Sequence, residues 1–279
     1  MLKLSHVSKH YSDFSLNDVS FEVPEGMIMG LIGENGAGKT TCLSAILSTI
    51  HYEGEITVLQ KNIEMMNSLD KQNIGVVLDE NCFSDLLTIS EIEKIARSMF
   101  VHWDKELFFK YCSEHHLPLK KKIKEFSKGM KMKLNIFIAL SHHPRLLILD
   151  EATSGLDPVA RDGLLDVFYD FVADGRHSIL MSSHILSDIE KIADMITYIS
   201  QGEVVFSESK DDLLDKYVIV RCSDEELKTL DPSKILGIRK HAYSLEVCIE
   251  KSASNSFARE SVTLDDVMVF ASRSRRNRV

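Results

Sequence analysis

The chain opens with two segments that alternate apolar and polar positions, LKLSHVSKHY (2–11) and SLNDVSFEV (15–23). A period of two residues is typical of strands that bury one face. MIMGLIG (27–33) is instead continuously apolar and ends in glycine, which indicates a strand buried on both faces that runs into a loop. TCLSAILSTI (41–50) then has the spacing of a helix. The pattern therefore predicts two half-buried strands, a buried strand, a loop and a helix, in that order.

The middle of the chain changes from strand patterns to helical patterns and back. EGEITVLQ and NIGVVLDE predict two strands, and three helix-like segments in residues 88–140 predict an inserted helical lobe, expected at about 82–140. Buried-strand patterns return in RLLILDE, SILMSS and MITYISQGEVVF, with helices between them. Strands that alternate with helices predict an α/β core around a largely parallel sheet.

The last part of the chain has a different pattern of predicted elements. After about Lys216, short strand patterns (YVIVRCS, ILGIRK and SLEVCIE) are mixed with two helix patterns, SDEELKTL and TLDDVMVFAS. We expect a main domain over residues 1–215 and a small α+β appendage over residues 216–279. A segment of this length is too short to bury much core on its own.

Composition narrows the possible functions. The formal net charge of −9 at pH 7 argues against broad nucleic-acid binding, and we expect no nucleic-acid partner. The five cysteines show no C-x-x-C spacing, which indicates reduced thiols in a cytosol. No apolar stretch approaches the roughly 18 to 20 residues that span a bilayer. A function at a membrane would therefore need another chain to supply the span.

The segment GENGAGKT (33–40) fits the pattern G-x-x-x-x-G-K-[ST]. It lies between the predicted buried strand and the predicted helix, which is the context that this motif requires. Backbone N–H groups of the loop and the positive end of the helix would hold phosphate groups. Lys39 would reach the β- and γ-phosphates, and the Thr40 hydroxyl would bind Mg²⁺. The segment therefore predicts a nucleotide phosphate site.

Acidic and imidazole side chains follow two other predicted strands. RLLILDE ends in Asp150, which would approach Mg²⁺ through water, and in Glu151, which would face the attacking water as a general base. His184 follows SILMSS, and we favour its contact with the γ-phosphate. Ligands of open α/β sheets bind outside the carboxyl ends of the strands, so these groups are expected at one edge.

The lysine-rich segment KEFSKGMKMKL (124–134), taken alone, predicts a solvated basic helix. However, the ordered set GENGAGKT, FSKGM, LLILDE, SGLDP and SSHILSDIE resembles the ATP-binding cassette (ABC) ATPases. The resemblance covers roughly residues 1–215. It implies the P-loop NTPase fold of that family, with a RecA-like core, an antiparallel β lobe and a helical subdomain, followed here by the C-terminal appendage.

The resemblance also implies how ATP and Mg²⁺ are held. Two cassettes of this family close head to tail around two nucleotides, so each γ-phosphate meets the FSKGM signature of the opposite chain. Tyr11 matches the aromatic residue that stacks on adenine, and Asp157 matches a contact across the interface. The implied catalytic residues are Glu151, His184 and Lys39. The implied metal ligands are Thr40, Asp79 and Asp150. The implied nucleotide contacts are Tyr11, Gly33, Asn35, Gly36, Ala37, Gly38, Lys39, Thr40, Thr41, Ser127, Gly129 and Asp157.

The signature departs from the family's usual Leu-Ser-Gly-Gly-Gln. Ser127 and Gly129 keep the groups that would hold the phosphate, while Lys128 and Lys131 add positive charge near an anion. We therefore expect the signature to work.

Four other positions need a comment. Asp79 replaces the family's loop glutamine; an ionised carboxylate can bind Mg²⁺ directly but cannot donate a hydrogen bond. Cys42 is expected to be a small buried residue whose thiol could make the enzyme sensitive to alkylation. His142 and His143 precede Pro144 and are expected in a solvated loop.

The expected function is that of the ATP-binding and ATP-hydrolysing subunit of a membrane ABC transporter. The single short cassette, the SGLDP loop and the tail after QGEVVF resemble ATPases of bacterial ABC-2-type exporters, although import stays open. The expected partners are transmembrane permease subunits and a second ABC ATPase subunit, in a homodimer or a heterodimer. The expected location is the cytoplasmic face of the cell membrane.

Two alternatives remain at this point. One is an ABC ATPase that is not engaged in transport; the single cassette, the lack of a long coiled-coil insert and the acidic charge count against it. The other is a low-activity regulatory cassette, suggested by FSKGM and Asp79. The presence of Lys39, Asp150, Glu151 and His184 counts against that alternative.

Overall fold

The computed structural model describes residues 1–79, 83–241, 244–254 and 257–276. Contacts within the chain divide it into two compact units, Met1–Val205 and Phe206–Val279. The boundary lies inside a strand, Glu203–Ser209, ahead of the predicted domain boundary after residue 215.

The first unit contains ten strands and seven helices among its described residues, the last strand continuing into the second unit. The strands are β1 (Leu2–His10), β2 (Ser15–Val23), β3 (Ile28–Ile32), β4 (Glu53–Val58), β5 (Lys61–Asn62), β6 (Ile74–Val77), β7 (Leu146–Asp150), β8 (Ser178–Ser182), β9 (Met195–Ser200) and β10 (Glu203–Ser209). The helices are α1 (Lys39–Ile46), α2 (Ser68–Lys71), α3 (Ile89–Met99), α4 (Lys105–Glu114), α5 (Lys128–Leu140), α6 (Pro158–Val172) and α7 (Leu186–Ile192).

These strands form two sheets. The first has the order β2-β1-β4-β5 and is antiparallel. The second has the order β10-β9-β3-β8-β7-β6, and its strands β9, β3, β8, β7 and β6 are parallel. The predicted α/β core with a largely parallel sheet is therefore confirmed, together with an antiparallel β lobe.

Burial along the strands follows the sequence pattern. Every residue of β3 and β8 is buried, as expected for central parallel strands covered on both faces. Much of β2 alternates between buried and exposed positions, so only one of its faces meets the core. One continuous apolar cluster joins the inner face of the antiparallel sheet to α1 and the parallel sheet. The helix that follows the glycine loop is thus packed between the two sheets.

Three α-helices lie among the described residues between β6 and β7. Helix α3 begins with a capping box, because Thr88 and Glu91 satisfy each other's backbone N–H groups. Helix α5 begins at the Ser127 cap with exposed and half-buried residues and ends in a fully buried run from Leu134 to Leu140. Its start is therefore accessible, while its end is fixed in the core against β6.

The second unit is a small α+β structure. Besides the end of β10, its elements are α8 (Lys210–Lys216), β11 (Tyr217–Cys222), α9 (Asp224–Leu227), β12 (Ile235–Lys240), β13 (Leu245–Glu250), β14 (Arg259–Ser261) and α10 (Leu264–Arg276). The strands form an antiparallel sheet in the order β12-β13-β11-β14. The sheet carries its own apolar cluster, which includes Val220, Val247 and Ile249. Across the described parts of both units, no helix is long and apolar enough to cross a bilayer.

The expectation of a solvated His142 is wrong. The residue is 4% exposed, its ring stacks on Phe100 with centroids 4.1 Å apart, and its Nδ1 lies 3.1 Å from the carbonyl oxygen of Gln72. Burial lowers the pKa of His142 to about 4. His143 is exposed, as expected. The pattern His-His-Pro resembles a loop, but the turn directs the first imidazole into the apolar space beside β6.

Protonation of His142 should destabilise the folded chain. Its folded-state pKa is depressed, so the unfolded state binds the proton more tightly and stability falls as pH decreases from about 6.5 towards about 4. Between pH 7.5 and pH 5.5, we expect this residue to lower the free energy of unfolding by roughly 1 kcal/mol. Urea unfolding at both pH values measures the loss.

The variant His142→Phe keeps an aromatic ring against Phe100 and removes the titrating group. Its free energy of unfolding should change less between the two pH values than that of the wild-type chain. An unchanged pH dependence in His142→Phe would contradict this assignment.

Candidate nucleotide site

The loop between β3 and α1 surrounds a buried ammonium group. Lys39 is the first residue of α1 and is 7% exposed. Its Nζ donates to the carbonyl oxygens of Gly33, at 2.7 Å, and Glu34, at 3.2 Å. Burial lowers the pKa of Lys39, while the negative charges of Glu151 and Asp150 oppose that decrease. The loop thus holds a cation in place beneath its own backbone.

Glycine is required at two points of this loop for different reasons. Gly36 has a φ of 79°, and nothing lies within 4 Å of the place where a Cβ would project, so the backbone is open to a ligand. Gly38 has a φ of 115° and packs closely against Phe14 and Leu16. One glycine therefore exposes the backbone, and the other fixes the loop against the antiparallel lobe.

A glycine turn after β9 also supports the loop. Gly202 donates its N–H to the carbonyl oxygen of Ala37, at 2.9 Å, and accepts from the N–H of Asn17, at 2.8 Å. Its φ is 79°, and a Cβ at this position would clash with the backbone of Ser15. The turn consequently connects the glycine loop to strand β2.

The two acids that end β7 lie beside a serine of the neighbouring strand. Asp150 pairs in register with Ser182 of β8, and the Ser182 hydroxyl donates to Asp150 Oδ1 at 2.5 Å. The backbone N–H of Glu151 donates to Ser182 as well, at 3.1 Å to the carbonyl oxygen and 3.3 Å to Oγ. Ser182 thus orients one carboxylate and the backbone of the next residue.

Glu151 and His184 contact each other directly. The distance from His184 Nδ1 to Glu151 Oε2 is 2.5 Å, and the His184 backbone N–H donates to the same oxygen at 3.3 Å. Glu151 has a φ of 52°, a left-handed conformation that is uncommon for a residue with a side chain. This conformation turns the chain at the end of β7, and the carboxylate then meets the imidazole that follows β8.

One cavity of about 580 Å³ collects most of these groups. It is lined by Asp13, Phe14, Glu34, Asn35, Gly36, Gly38, Lys39, Thr40, Thr41, Asp79, Asp150 and Glu151. Hydroxyl and carboxylate oxygens are the donors that Mg²⁺ prefers, and Thr40, Asp79 and Asp150 all face this space. The donor set therefore fits a bound magnesium ion.

Several residues predicted for the site do not line this cavity. Gly33 and Ala37 are buried beneath the loop, and His184 reaches the cavity only through Glu151. Tyr11 is 47% exposed and has the Lys9 ammonium over its ring, at 5.2 Å from the centroid. The structure places Asp13 and Phe14 on the cavity wall instead of Tyr11.

The signature residues also lie outside the cavity. Ser127 caps α5 by accepting from the N–H of Met130 at 3.2 Å, and Gly129 packs against Leu156. Asp157 caps α6 by accepting from the N–H of Ala160 at 3.0 Å, and this hydrogen bond lowers the pKa of its carboxyl. All three of the predicted contacts, at positions 127, 129 and 157, are on or beside the surface of this chain and do not line the nucleotide cavity.

Ser182 was not among the predicted site residues, and Cys42 is buried as expected but less reactive than expected. Ser182 could have been found from its place at the end of a buried strand, next to the strand that ends in Asp150. Cys42 is fully buried in α1, and burial raises the pKa of its thiol to about 12. At neutral pH the thiol is therefore protected from alkylation while the chain is folded.

Taken together, a glycine loop around a buried lysine, with a strand-ending carboxylate beside it, defines a P-loop nucleotide hydrolase. Comparisons with known proteins narrow this class. A family profile described as ABC transporter matches residues 16–154. The chain is 32% identical over 223 residues to an ABC transporter ATP-binding protein of Bacillus subtilis, which covers 79% of this chain and 76% of that protein. The chain belongs to the ABC transporter family and is an ATP-hydrolysing ATP-binding subunit.

Other relatives and a solved structure agree. A lantibiotic transport ATP-binding protein of Streptococcus pyogenes is 32% identical, covering 76% of this chain and 92% of its own length. A linearmycin resistance ATP-binding protein of Bacillus subtilis is 34% identical, with coverage of 77% and 71%. A solved ATP-binding subunit of an ABC transporter superposes with a TM-score of 0.70 at 28% identity, covering 76% of this chain and 91% of that one. The ABC ATPase fold expected from the sequence is therefore confirmed.

The substitution Ser182→Ala should impair hydrolysis. It removes the hydrogen bond to the Asp150 carboxylate, and losing a bond to a charged group should lower the kcat of ATP hydrolysis by about tenfold. Phosphate release at saturating ATP measures the effect.

Ser178→Ala is a matched control, because Ser178 is a buried, hydrogen-bonded serine at the other end of the same strand. It should reduce stability without a comparable loss of kcat. Equal losses in the two variants would show that the effect comes from the strand and not from the site.

Proposed function

We propose that this chain powers an exporter, and that it does so by hydrolysing ATP with Mg²⁺ in the cavity between the glycine loop and the ends of β7 and β8. Support for export comes from the relatives, which are named for lantibiotic transport and linearmycin resistance. The cargo would be chosen by the membrane subunits and is not encoded in this chain.

The loop and helix α1 bind the nucleotide phosphates in this proposal. Gly36 lines the cavity with open space beside its Cα, so backbone N–H groups of the loop would hold the phosphates, and Lys39 supplies a positive charge within the cavity. Thr40, Asp150 and Asp79 would hold Mg²⁺, which when bound neutralises charge that develops on the phosphates. Phe14 offers an apolar surface at the same wall, and Tyr11 would stack on the adenine after moving from its position under Lys9.

The pairing of Glu151 with His184 carries the hydrolytic part of the proposal. Glu151 would accept a proton from the attacking water, and the imidazole holds its carboxylate at the cavity wall. His184 is 54% exposed in its side chain, so it can also turn towards a γ-phosphate when the site closes. A base and its orienting group thus lie at the end of two adjacent parallel strands.

A second cassette would complete the site. Ser127, Gly129 and Asp157 lie outside the cavity of their own chain, which leaves them accessible to a nucleotide held by another chain. The capped start of α5 presents backbone N–H groups and the positive end of a 13-residue helix. The second cassette could be a copy of this chain or a related subunit.

Transmembrane permease subunits would dock on the helical lobe. A largely apolar cavity of about 270 Å³ lies between β6 and α5, with Val76, Met99 and Ile138 among its walls. Leu86, Met99 and Val101 are exposed apolar residues of the same lobe. The chain would then be a peripheral protein at the cytoplasmic face of the membrane. In this proposal, Asp79 and the segment 82–87 would also receive the membrane subunits; Cys82 lies outside the described residues.

Glu151→Gln tests the hydrolytic assignment. The variant removes the general base while keeping the shape of the side chain, so steady-state hydrolysis should fall by at least roughly a hundredfold. ATP should instead trap a dimer, which size-exclusion chromatography detects.

The exposed carboxylate of Glu53 in β4 provides a matched control, and Glu53→Gln should hydrolyse ATP like the wild-type chain. Turnover near the wild-type rate in Glu151→Gln would mean that another group accepts the proton.

Ser127→Arg tests the second cassette. A bulky cation at the signature should abolish hydrolysis and dimer formation but leave ATP binding to the monomer nearly unchanged. Fluorescence titration with a labelled ATP analogue measures binding, and phosphate release measures turnover.

Two further variants control for folding. Ser127→Asp keeps a capping oxygen while adding a negative charge, so it should also lose hydrolysis without loss of the helix cap. Ser90→Arg places the same bulky cation in the first turn of α3 and should remain active. If monomeric Ser127→Arg loses ATP binding, the signature has been assigned to the wrong segment.

A further inference from the structure

Two residues that depart from the family pattern contact each other. Lys128 is the lysine within the signature, and Asp79 replaces the loop glutamine of the family. The Lys128 ammonium lies 2.6 Å from Asp79 Oδ1. The lysine and the aspartate that depart from the family pattern therefore form an ion pair with each other.

Asp79 lies on the wall between two cavities. On one side is the nucleotide cavity with Lys39, Thr40 and Asp150. On the other side is a cavity of about 350 Å³ formed at the start of α5, which is lined by Phe126, Lys128, Lys131, Met132 and Asn135 as well as by Asp79. The same carboxylate can therefore face a metal ion in the first cavity or an ammonium group in the second.

The lysine is also held by the loop after β7. Its aliphatic stem passes over Gly155, where a Cβ would lie 3.2 Å from Lys128 Cδ. Lys131, one turn further along α5, pairs with Asp85 at 2.7 Å. Both lysines that follow the cap are thus paired with carboxylates of the segment after β6. Neither ammonium group is directed at an external anion while these pairs persist.

We propose that Lys128 is a positioning residue that competes with the divalent metal ion for Asp79. Without metal, Lys128 neutralises the carboxylate and keeps it at the edge of the nucleotide cavity. When Mg²⁺ arrives with ATP, Asp79 turns to the metal and Lys128 is released. The freed ammonium, directly after the Ser127 cap, then meets the γ-phosphate held by the opposite chain.

Electrostatics supports an exchange and not a permanent pair. Lys128 and Asp79 have side chains that are 53% and 50% exposed, and ion pairs this exposed are weak because water and salt screen them. A divalent ion carries twice the charge and is well matched to carboxylate oxygen. An ammonium group and a metal ion at the same carboxylate would repel each other, so the binding of either weakens the other.

This inference rests on the proposed nucleotide site and adds a competitor within the chain. It predicts that removing Lys128 tightens metal binding, although the substituted residue lies in the signature segment and not among the residues that line the nucleotide cavity.

The test uses the full chain with a non-hydrolysable ATP analogue and Mn²⁺ as the probe, with free Mn²⁺ measured by electron paramagnetic resonance. Lys128→Met should bind Mn²⁺ roughly two- to fivefold more tightly than the wild-type chain, the effect of losing one exposed ion pair. Asp79→Asn should bind it more weakly. The double variant should match Asp79→Asn, because no carboxylate remains for the lysine to occupy.

Lys124→Met is the matched control, since it removes the same charge from an exposed residue just before the Ser127 cap, outside both cavities, and should leave Mn²⁺ affinity unchanged. Three results would overturn the proposal: no tightening in Lys128→Met, equal tightening in Lys124→Met, or tightening that persists in the Asp79→Asn background. Binding of the ATP analogue in EDTA, without metal, tests the proposed nucleotide site separately from the competition for Asp79. If neither the wild-type chain nor any variant binds the analogue, the proposed nucleotide site is wrong.

Discussion

The parallel pairing of β3, β8 and β7 is the constraint on which the site depends. Ser182 pairs in register with Leu31 on one side and with Asp150 on the other. The glycine loop, the serine and the strand-ending acids consequently start from the same level of the sheet. A slip of one residue between β7 and β8 would turn the Asp150 side chain to the opposite face and break its bond to Ser182. The chemistry is therefore positioned by backbone hydrogen bonds among fully buried strands.

The balance between the Lys39 ammonium group and the acids at the end of β7 also depends on this register. The ammonium group of Lys39 is buried, and a buried cation is costly unless oxygen atoms surround it. Two loop carbonyl groups contact it, and the acids at the end of β7 supply opposite charge nearby. These acids would in turn be costly to gather without a cation between them. The loop and the strand ends therefore stabilise each other before any nucleotide binds, and phosphate and metal would enter a cavity that already contains both signs of charge.

Much of this arrangement could be predicted because short, contiguous stretches of sequence determine it. MIMGLIG and RLLILDE are long apolar runs that leave few choices besides buried strands, and GENGAGKT fixes the loop between a strand and a helix. The resemblance to ABC ATPases rested on five short motifs in order, and the family membership is confirmed.

What could not be predicted depends on side chains that are distant in sequence. Nothing near His142 indicates that Phe100 will stack on it, and the sequence Ser182-Ser183 does not itself show which hydroxyl bonds to Asp150. The pair formed by Asp79 and Lys128 joins a loop to a helix start about fifty residues later, and each residue alone resembles an ordinary surface charge. The aromatic side chain on the cavity wall is a further case, because Tyr11 and Phe14 are three positions apart on one turn and only the fold shows that Phe14 lines the wall.

The turn at Gly202 has a consequence for any shortened form of the chain. It comes some 160 residues after the glycine loop, yet its two backbone hydrogen bonds fasten that loop to β2. A fragment trimmed at the end of β9 would keep every motif by which the family is recognised but would lack these two hydrogen bonds. Its glycine loop would be complete in sequence but no longer held against β2. The minimal working cassette therefore extends through the β9–β10 turn, beyond the last residue that touches the nucleotide cavity.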